Sequence, residues 1–397
     1  MNIETIRKDF PILEKQVNGK PLTYFDNACL SLKPVQVIKK IKEYYAEYSA
    51  CGGRSMHSLS KRVDEEVDRT RKTLQKFINA KHSEEIIFSK NTTESLNLVA
   101  QSFNFSKGDV VLTSDKEHNS NLLPWMQLRQ KGVVHKIIPS NSDNTFNIEK
   151  FKEILTDEVK LVSIVQTSNL DGVTFPLKEI IKIAHDNKTF VVIDAAQSAP
   201  HINLNVKKLG ADFLAFSGHK MLGPTGTGVL YGKRELLEKL SPFIVGGETV
   251  VDSTYENADF EKPPHRFEAG LQNYAGIAGL GEATKYLMKI REDIHKHEIK
   301  LNRIITEGLG ESIKIIGPNN PELRGGIVSF TSKMDPHEIA LMLDQQGIMI
   351  RSGAHCVHSW FNAKNLQGSA RASLYLYNTE QEAETFVEEA KKILDLN

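Results

Sequence analysis

Only three cysteines occur in the 397 residues, Cys29, Cys51 and Cys356. They are far apart, odd in number and without a C-x-x-C pair, which argues against a disulfide framework or a structural zinc site and fits a reducing cytoplasm. Net charge is missing too, since 50 Lys plus Arg balance 50 Asp plus Glu. Without an excess of either sign, neither nucleic acid nor a membrane surface is expected as the main partner. No run approaches the roughly 18 consecutive apolar residues of a spanning helix. The opening "MNIETIRKDF" also has no apolar leader core. A soluble, unprocessed chain of about two to three domains' length is the expectation.

What is present is an alternation. Between about Pro34 and Leu240, helical-period segments such as "PVQVIKKIKEYYAEY", "VDEEVDRTRKTLQKFINA" and "PLKEIIKIAHDN" are interleaved with short apolar runs. Seven of those runs read as strands: "EIIFSK", "DVVLTS", "VHKIIPS", "LVSIVQTS", "FVVIDAA", "DFLAFS" and "GVLYG". The alternation predicts an α/β layered domain with a mostly parallel sheet, whose ligands sit at the carboxyl ends of the strands. A polar, proline-containing stretch, "VVDSTYENADFEKPPHRFEAG", then interrupts the pattern. After it, a long helical run from Ala275 to Leu309 leads into shorter strands and helices that read as a smaller α+β domain. The division expected is 17–285 for the large domain and 286–397, with 1–16, for the small one.

Chemistry concentrates where predicted strands end. "FLAFSGHKMLGPTGTGVLYG" holds Lys220 between an apolar run and a glycine loop. The loop is not a nucleotide-binding one, because Gly223 is followed by Pro224 and Thr225 rather than Lys and Ser/Thr, and Tyr231 occupies the third glycine position of a dinucleotide fingerprint. "VVIDAAQSAPH" ends a strand on Asp194, with Gln197 three residues on. Taken alone, Asp194 equally suits a helix N-cap. With Lys220 26 residues later at the end of another strand, Asp, Gln and Lys are expected to reach one crevice, where they resemble the handles of pyridoxal phosphate. A carboxylate keeps the pyridine nitrogen protonated and a lysine forms a Schiff base with the aldehyde. Gln197 would donate to the phenolic oxygen. The phosphate needs hydroxyls and a helix start, which "NTTESLNLVA" (Thr92, Thr93) and "SGH" (Ser217, His219) supply; simple capping is the other reading of the threonines. His118 in "DKEHNSNLLPW" is either a ring-stacking group or an ordinary packing residue. Cys356, between His355 and His358, reads as a weak metal cluster, a reactive thiol or an apolar filler.

Taken together, "FSGHKMLGPTGTGVLYG", "IDAAQSAPH", "NTTESLNLVA", "EHNSNLLPW" and "FEAGLQNYAGIAGLGEA" resemble class V of the fold-type I pyridoxal-phosphate enzymes, from about Phe25 to the C-terminal helix. "RSGAHCVHSW" and "ARASLYLYNT" resemble the catalytic-cysteine and carboxylate-arginine segments of the group II cysteine desulfurases. The resemblance implies a fold-type I architecture, pyridoxal 5'-phosphate on Lys220, L-cysteine as substrate and alanine as product. It further implies a persulfide on Cys356 for a sulfur-acceptor protein, in iron–sulfur cluster or thio-cofactor assembly, and a cytoplasmic homodimer. It assigns Arg371 to the substrate carboxylate, where its own reading is a surface ion pair. It gives His118 a stacking and proton-shuttling role, Asn169 a contact to cofactor or substrate, and Ala28 and His57 places beside the substrate. Arg351, His355 and His358 are the groups expected to favour the Cys356 thiolate.

Two positions depart from the family pattern. Ala354 stands where a first histidine precedes the cysteine, and Leu271 with Gln272 where a threonine reaches the phosphate across the dimer. Other class V activities (aminotransferase, selenocysteine lyase, sulfinate lyase) and an inactive sulfur-trafficking scaffold are the competing readings. A zinc peptidase is excluded, because "HKHEIK" has Leu301 where the second ligand should stand.

Overall fold

A computed structural model describes residues 2–395. The seven predicted strands form one sheet: β1 (Ile86–Ser89), β2 (Val110–Ser114), β3 (Val134–Ile138), β4 (Val159–Val165), β5 (Phe190–Asp194), β6 (Phe213–Ser217) and β7 (Gly228–Gly232). Their spatial order is β1-β7-β6-β5-β4-β2-β3. All pairings are parallel except the two made by β7, which runs antiparallel to β1 and β6. Strands β2, β6 and β7 are buried at every position, as expected for a sheet covered on both faces, whereas edge strand β3 exposes Val134, Lys136 and Ile137. One apolar cluster lies on each face: Ile86, Ile164 and Phe216 belong to one, and Ile87, Val111 and Phe213 to the other.

The predicted polar interruption contains an exposed antiparallel hairpin, Val250–Ser253 with Ala258–Phe260. Proline and charge hide its short strands from a pattern that looks for buried alternation. The helix "VDEEVDRTRKTLQKFINA" begins earlier than its periodicity suggests, at Ser58, because His57 Nδ1 caps it by accepting from Ser60 N–H. The 36-residue helix Tyr274–Leu309 connects the two halves. Its start packs on helices Val35–Glu47 and Ser58–Ile78 and its end on helix Glu380–Leu394.

Beyond it, a second sheet forms from β8 (Lys314–Ile315), β9 (Ile327–Thr331), β10 (Arg351–Gly353) and β11 (Ser369–Ser373), in the order β8-β9-β11-β10 and antiparallel throughout. It has its own core around Phe330, Leu343 and Phe386. The N-terminal segment bridges both halves: Arg7 pairs with Glu382 at 2.8 Å, while Phe10 is buried in the large core.

Among the described residues, one ion pair is wholly buried. Lys116 Nζ donates to Asp171 Oδ2 at 2.7 Å, with neither side chain exposed, and also to the Asn144 carbonyl. It joins the turn after β2 to the turn after β4, so two loops at the sheet's carboxyl edge are fixed to one another. The Asp171 turn needs Gly172, at φ 76°, because a Cβ there would lie 1.8 Å from the Arg324 carbonyl oxygen. Lys116→Met is expected to destabilise the fold by about 3–5 kcal/mol, since it strands a buried carboxylate, and Lys116→Met/Asp171→Leu should recover most of that loss. Urea denaturation of the two variants checks both figures.

Candidate active site

Where the parallel strands end, a pocket of about 200 Å³ opens. It collects Ala28, Thr92, Thr93, His118, Asn169, Asp194, Gln197, Ser217, His219, Lys220, Cys356 and Arg371, twelve of the thirteen residues expected from sequence to bind cofactor or substrate or to carry the catalysis. The exception is His57. It sits exposed at the N-cap of helix Ser58–Ile78 and does not line this pocket, because its ring is turned back onto its own helix start. The expectation that His57 lies beside the substrate therefore does not hold within a single chain.

Asp194 ends β5 almost fully buried, and its Oδ1 accepts from Ala196 N–H at 2.9 Å. Burial raises its pKa, opposed by that hydrogen bond and by the Lys220 charge. Lys220 follows β6 and has no hydrogen bond or ion pair among the described residues. Its pKa is lowered, first by burial, although the Asp194 charge pulls the other way. A lysine biased toward the free amine beside a buried carboxylate is suited to imine formation and to base chemistry.

The opposite wall is a helix start. Asn91 caps helix Thr92–Ser102, and Ser217 Oγ accepts from Thr92 N–H at 2.8 Å and lies 2.7 Å from Thr92 Oγ1. Thr93 Oγ1 lies 2.7 Å from Ser120 Oγ. Gly228 makes this convergence possible, since a Cβ there would stand 2.5 Å from Asn91 Cα. Hydroxyls around a helix N-terminus form an anion cradle, so together with Asp194 and Lys220 the residues present fit pyridoxal phosphate. Gln197 Nε2 donates to the Ala28 carbonyl at 2.7 Å, which orients its amide along the pocket wall.

His118 caps the next helix through Nδ1, which accepts from Ser120 N–H, leaving Nε2 as the position for the ring proton. Burial, then the charges of Lys220 and Arg371, push its pKa down to about 3. The preceding residue, Glu117, is fully buried and was not identified from sequence, where nothing distinguishes it from a surface acid. Three donors hold it, Ser114 Oγ, Asn121 Nδ2 and Val165 N–H, while burial pushes its pKa up to about 8. It anchors the turn that presents His118.

The Cys356 segment is clamped in a strained shape. His355 and Cys356 adopt φ of 48° and 60°, left-handed values that cost non-glycine residues on the order of 1–3 kcal/mol each. The His355 carbonyl accepts from Asn169 Nδ2, and the Cys356 carbonyl accepts from Asn119 N–H, a free donor at a helix start. Asn169 thus spends its amide on the cysteine loop, and its carbonyl accepts from Arg371 Nη1 at 2.8 Å. Arg371, 2% exposed, leaves Nε without a partner among the described residues.

Two expectations about Cys356 need correction. His355 does not supply positive charge: its Nε2 lies 2.8 Å from Ser369 Oγ, and burial pushes its pKa down to about 2. Arg351 hydrogen-bonds a different cysteine, with Nη1 2.9 Å from Cys29 Sγ. Asp26 lies between the two guanidiniums, 3.4 Å from Arg371 Nη2 and 3.9 Å from Arg351 Nη1.

The lowered histidine values set a pH dependence. An unfolded chain protonates these rings below about 6.5, whereas the fold resists until about 3 for His118 and about 2 for His355. Their contribution to stability is therefore complete above pH 6.5 and is lost as pH falls toward those folded values. At pH 5 both rings should show neutral imidazole nitrogen shifts by NMR in the cofactor-free protein; imidazolium shifts would contradict the burial argument.

Comparison with known proteins agrees with this geometry. The family described as "Aminotransferase class-V" matches residues 23–386. A probable cysteine desulfurase of Synechocystis is 41% identical over 393 residues, covering 97% of this chain and 94% of that protein. The apo structure of a cysteine desulfurase from Thermococcus onnurineus superposes with a TM-score of 0.95 at 38% identity, covering 100% and 99% of the two chains. An Escherichia coli cysteine desulfurase in its S-sulfonic acid form has a TM-score of 0.92 at 29% identity, with coverage of 100% and 99%.

Proposed function

The chain belongs to the class-V aminotransferase family, and from that premise we propose how its own residues carry out the desulfuration of L-cysteine, with Cys356 as the sulfur-accepting nucleophile. The protein is a pyridoxal-phosphate-dependent cysteine desulfurase of the fold-type I architecture. The observation that carries the assignment of roles is the meeting of Lys220, Asp194, Arg371 and Cys356, drawn from four separate segments, in one pocket. A scaffold would need no such meeting.

Lys220, Asp194, His118, Gln197 and the Thr92–Thr93–Ser217 cradle would hold pyridoxal phosphate, which when bound supplies an electron sink for the pair released at the substrate α-carbon. Arg371 orients the amino acid: its planar guanidinium, with Nε still available, is the group in the pocket suited to the α-carboxylate. Lys220 Nζ moves the α-proton as base, a role its burial favours. His118 keeps its proton on Nε2 and packs as a neutral ring, so it hands on a proton rather than storing a charge. Cys356, as thiolate, attacks the substrate sulfur. A bond forms between Cys356 Sγ and that sulfur, the substrate carbon–sulfur bond breaks, and its electron pair stays with the carbon skeleton, which leaves as alanine after protonation. The enzyme is left with a persulfide on Cys356.

The division into 17–285 and 286–397 with 1–16 is part of this reading. It is supported by the two separate sheets and by the separate core around Phe330, Leu343 and Phe386, while Phe10 of the N-terminal segment packs into the large core. A homodimer is supported by apolar side chains far out in solvent, Met56 at 99%, Tyr255 at 107% and Leu271 at 71% exposure. His57 and the Leu271–Gln272 turn, both outside the pocket of their own chain, are suited to act on a second copy's site. Gln272 Nε2 is meanwhile folded onto the Ala269 and Gly270 carbonyls. Three free cysteines, two of them half-buried in the pocket that Arg371 also lines, accord with a reducing cytoplasm, and the sulfur would pass to an acceptor protein in iron–sulfur or thio-cofactor assembly. Among the described residues no helix is long and apolar enough to cross a membrane.

The test is peptide mass spectrometry of the holoenzyme after L-cysteine is added. One extra sulfur is expected on the Cys356 peptide with alanine released in step; alanine without that sulfur would remove the persulfide chemistry.

A further inference from the structure

We propose that Cys29 is a second sulfur-accepting thiol, which takes the sulfur from Cys356 inside the pocket before it leaves the protein; this rests on the persulfide reading above. Cys29 and Cys356 line the same pocket, together with Lys220. Cys51, the remaining cysteine, is exposed and outside it.

A specific contact fixes Cys29. Arg351 Nη1 lies 2.9 Å from its Sγ, and because a guanidinium carries only donors, the sulfur is the acceptor. Arg351 opens β10, which runs through Gly353 directly into the Cys356 segment. The partner that holds Cys29 thus belongs to the strand that leads into the loop carrying the first thiol.

The ligand expected at this end of the pocket is anionic. Arg371 is almost fully buried, lines the pocket and leaves Nε without a partner, and Arg351 adds a second guanidinium. A sulfane sulfur carried on Cys29 would face this pair of cations, whose carboxylate neighbour Asp26 is shared between them. Burial raises the Asp26 pKa, against the pull of both guanidiniums.

The transfer balances without an outside oxidant or reductant. Cys29, as thiolate, attacks the terminal sulfur of the Cys356 persulfide. A Cys29 Sγ–sulfur bond forms, the Cys356 Sγ–sulfur bond breaks, and Cys356 leaves as thiolate, ready for another substrate. The proton of the terminal sulfur stays with it.

The experiment follows sulfur by residue. The holoenzyme is mixed with L-cysteine without other thiols, quenched with an alkylating reagent at increasing times, digested and analysed by mass spectrometry. Sulfur should appear first on the Cys356 peptide and then on the Cys29 peptide. Cys356→Ser should carry it on neither, while Cys29→Ser should hold it on Cys356 alone and release it to added dithiothreitol several-fold more slowly than the wild type. Sulfur on Cys356 but never on Cys29, with equal release from Cys29→Ser, overturns the hand-off and leaves the persulfide reading standing. Sulfur on Cys29 in Cys356→Ser also overturns it. Sulfur on neither cysteine of the wild type overturns both.

Discussion

Lys220→Ala is expected to lower alanine formation from L-cysteine by on the order of 10³-fold, a mid-range figure for the loss of a positioned general base. The size follows from where Lys220 sits. It stands in the turn just after β6, is biased toward the free amine by burial, and among the described residues no second lysine lines the pocket to replace it. The loss should fall on kcat as well as on kcat/KM, since Arg371 would still hold the substrate carboxylate. A second readout separates chemistry from folding: borohydride treatment of the wild-type holoenzyme should fix the cofactor covalently to the peptide containing Lys220, and the Lys220→Ala variant should retain none on any peptide. Covalent retention in that variant, or activity within tenfold of wild type, would refute the role given to this residue.

Cys356→Ser should be nearly as severe for turnover, on the order of 10³-fold in alanine formation, as expected when a nucleophile is removed. Yet it should leave the covalent linkage at Lys220 intact. The two variants thus fail at different steps. A serine hydroxyl preserves the size of the side chain and the left-handed backbone held by Asn169 and Asn119, so a loss of activity would report the missing sulfur rather than a collapsed loop. Alanine formation at wild-type rates by Cys356→Ser would favour a lyase of the same family that needs no thiol nucleophile.

Much of this site is legible along the chain because each group stands next to a pattern that is itself legible. Asp194 closes an unbroken apolar run, Lys220 and Ser217 follow another, and Thr92 begins a helix with an Asn cap; each lies within a few residues of a strand's carboxyl end. Arg351, Asp26 and Cys29 have no such marker. They come from β10 and the segment after Thr23–Tyr24, which meet through a two-residue parallel pairing with Ile348–Met349, too short for any periodicity to announce. Glu117 is in the same position. It follows a lysine and precedes a histidine, a polar stretch that reads as surface until Lys116 and Glu117 are both seen to be buried.

The sequence alone determines the layered fold, because buried parallel strands must be continuously apolar and the helices between them must carry one apolar face, and both patterns are local. It also determines the order in which the strand-end groups arrive at the sheet's carboxyl edge. Tertiary structure alone decides which charges meet. His355 is neutral because the fold buries it against Ser369, Arg351 serves Cys29 rather than Cys356, and His57 turns away from the pocket of its own chain. Those outcomes depend on desolvation and on distances in space, as between Arg351 and Cys29, 322 residues apart in the chain. Neither quantity is carried by the spacing of residues along a chain.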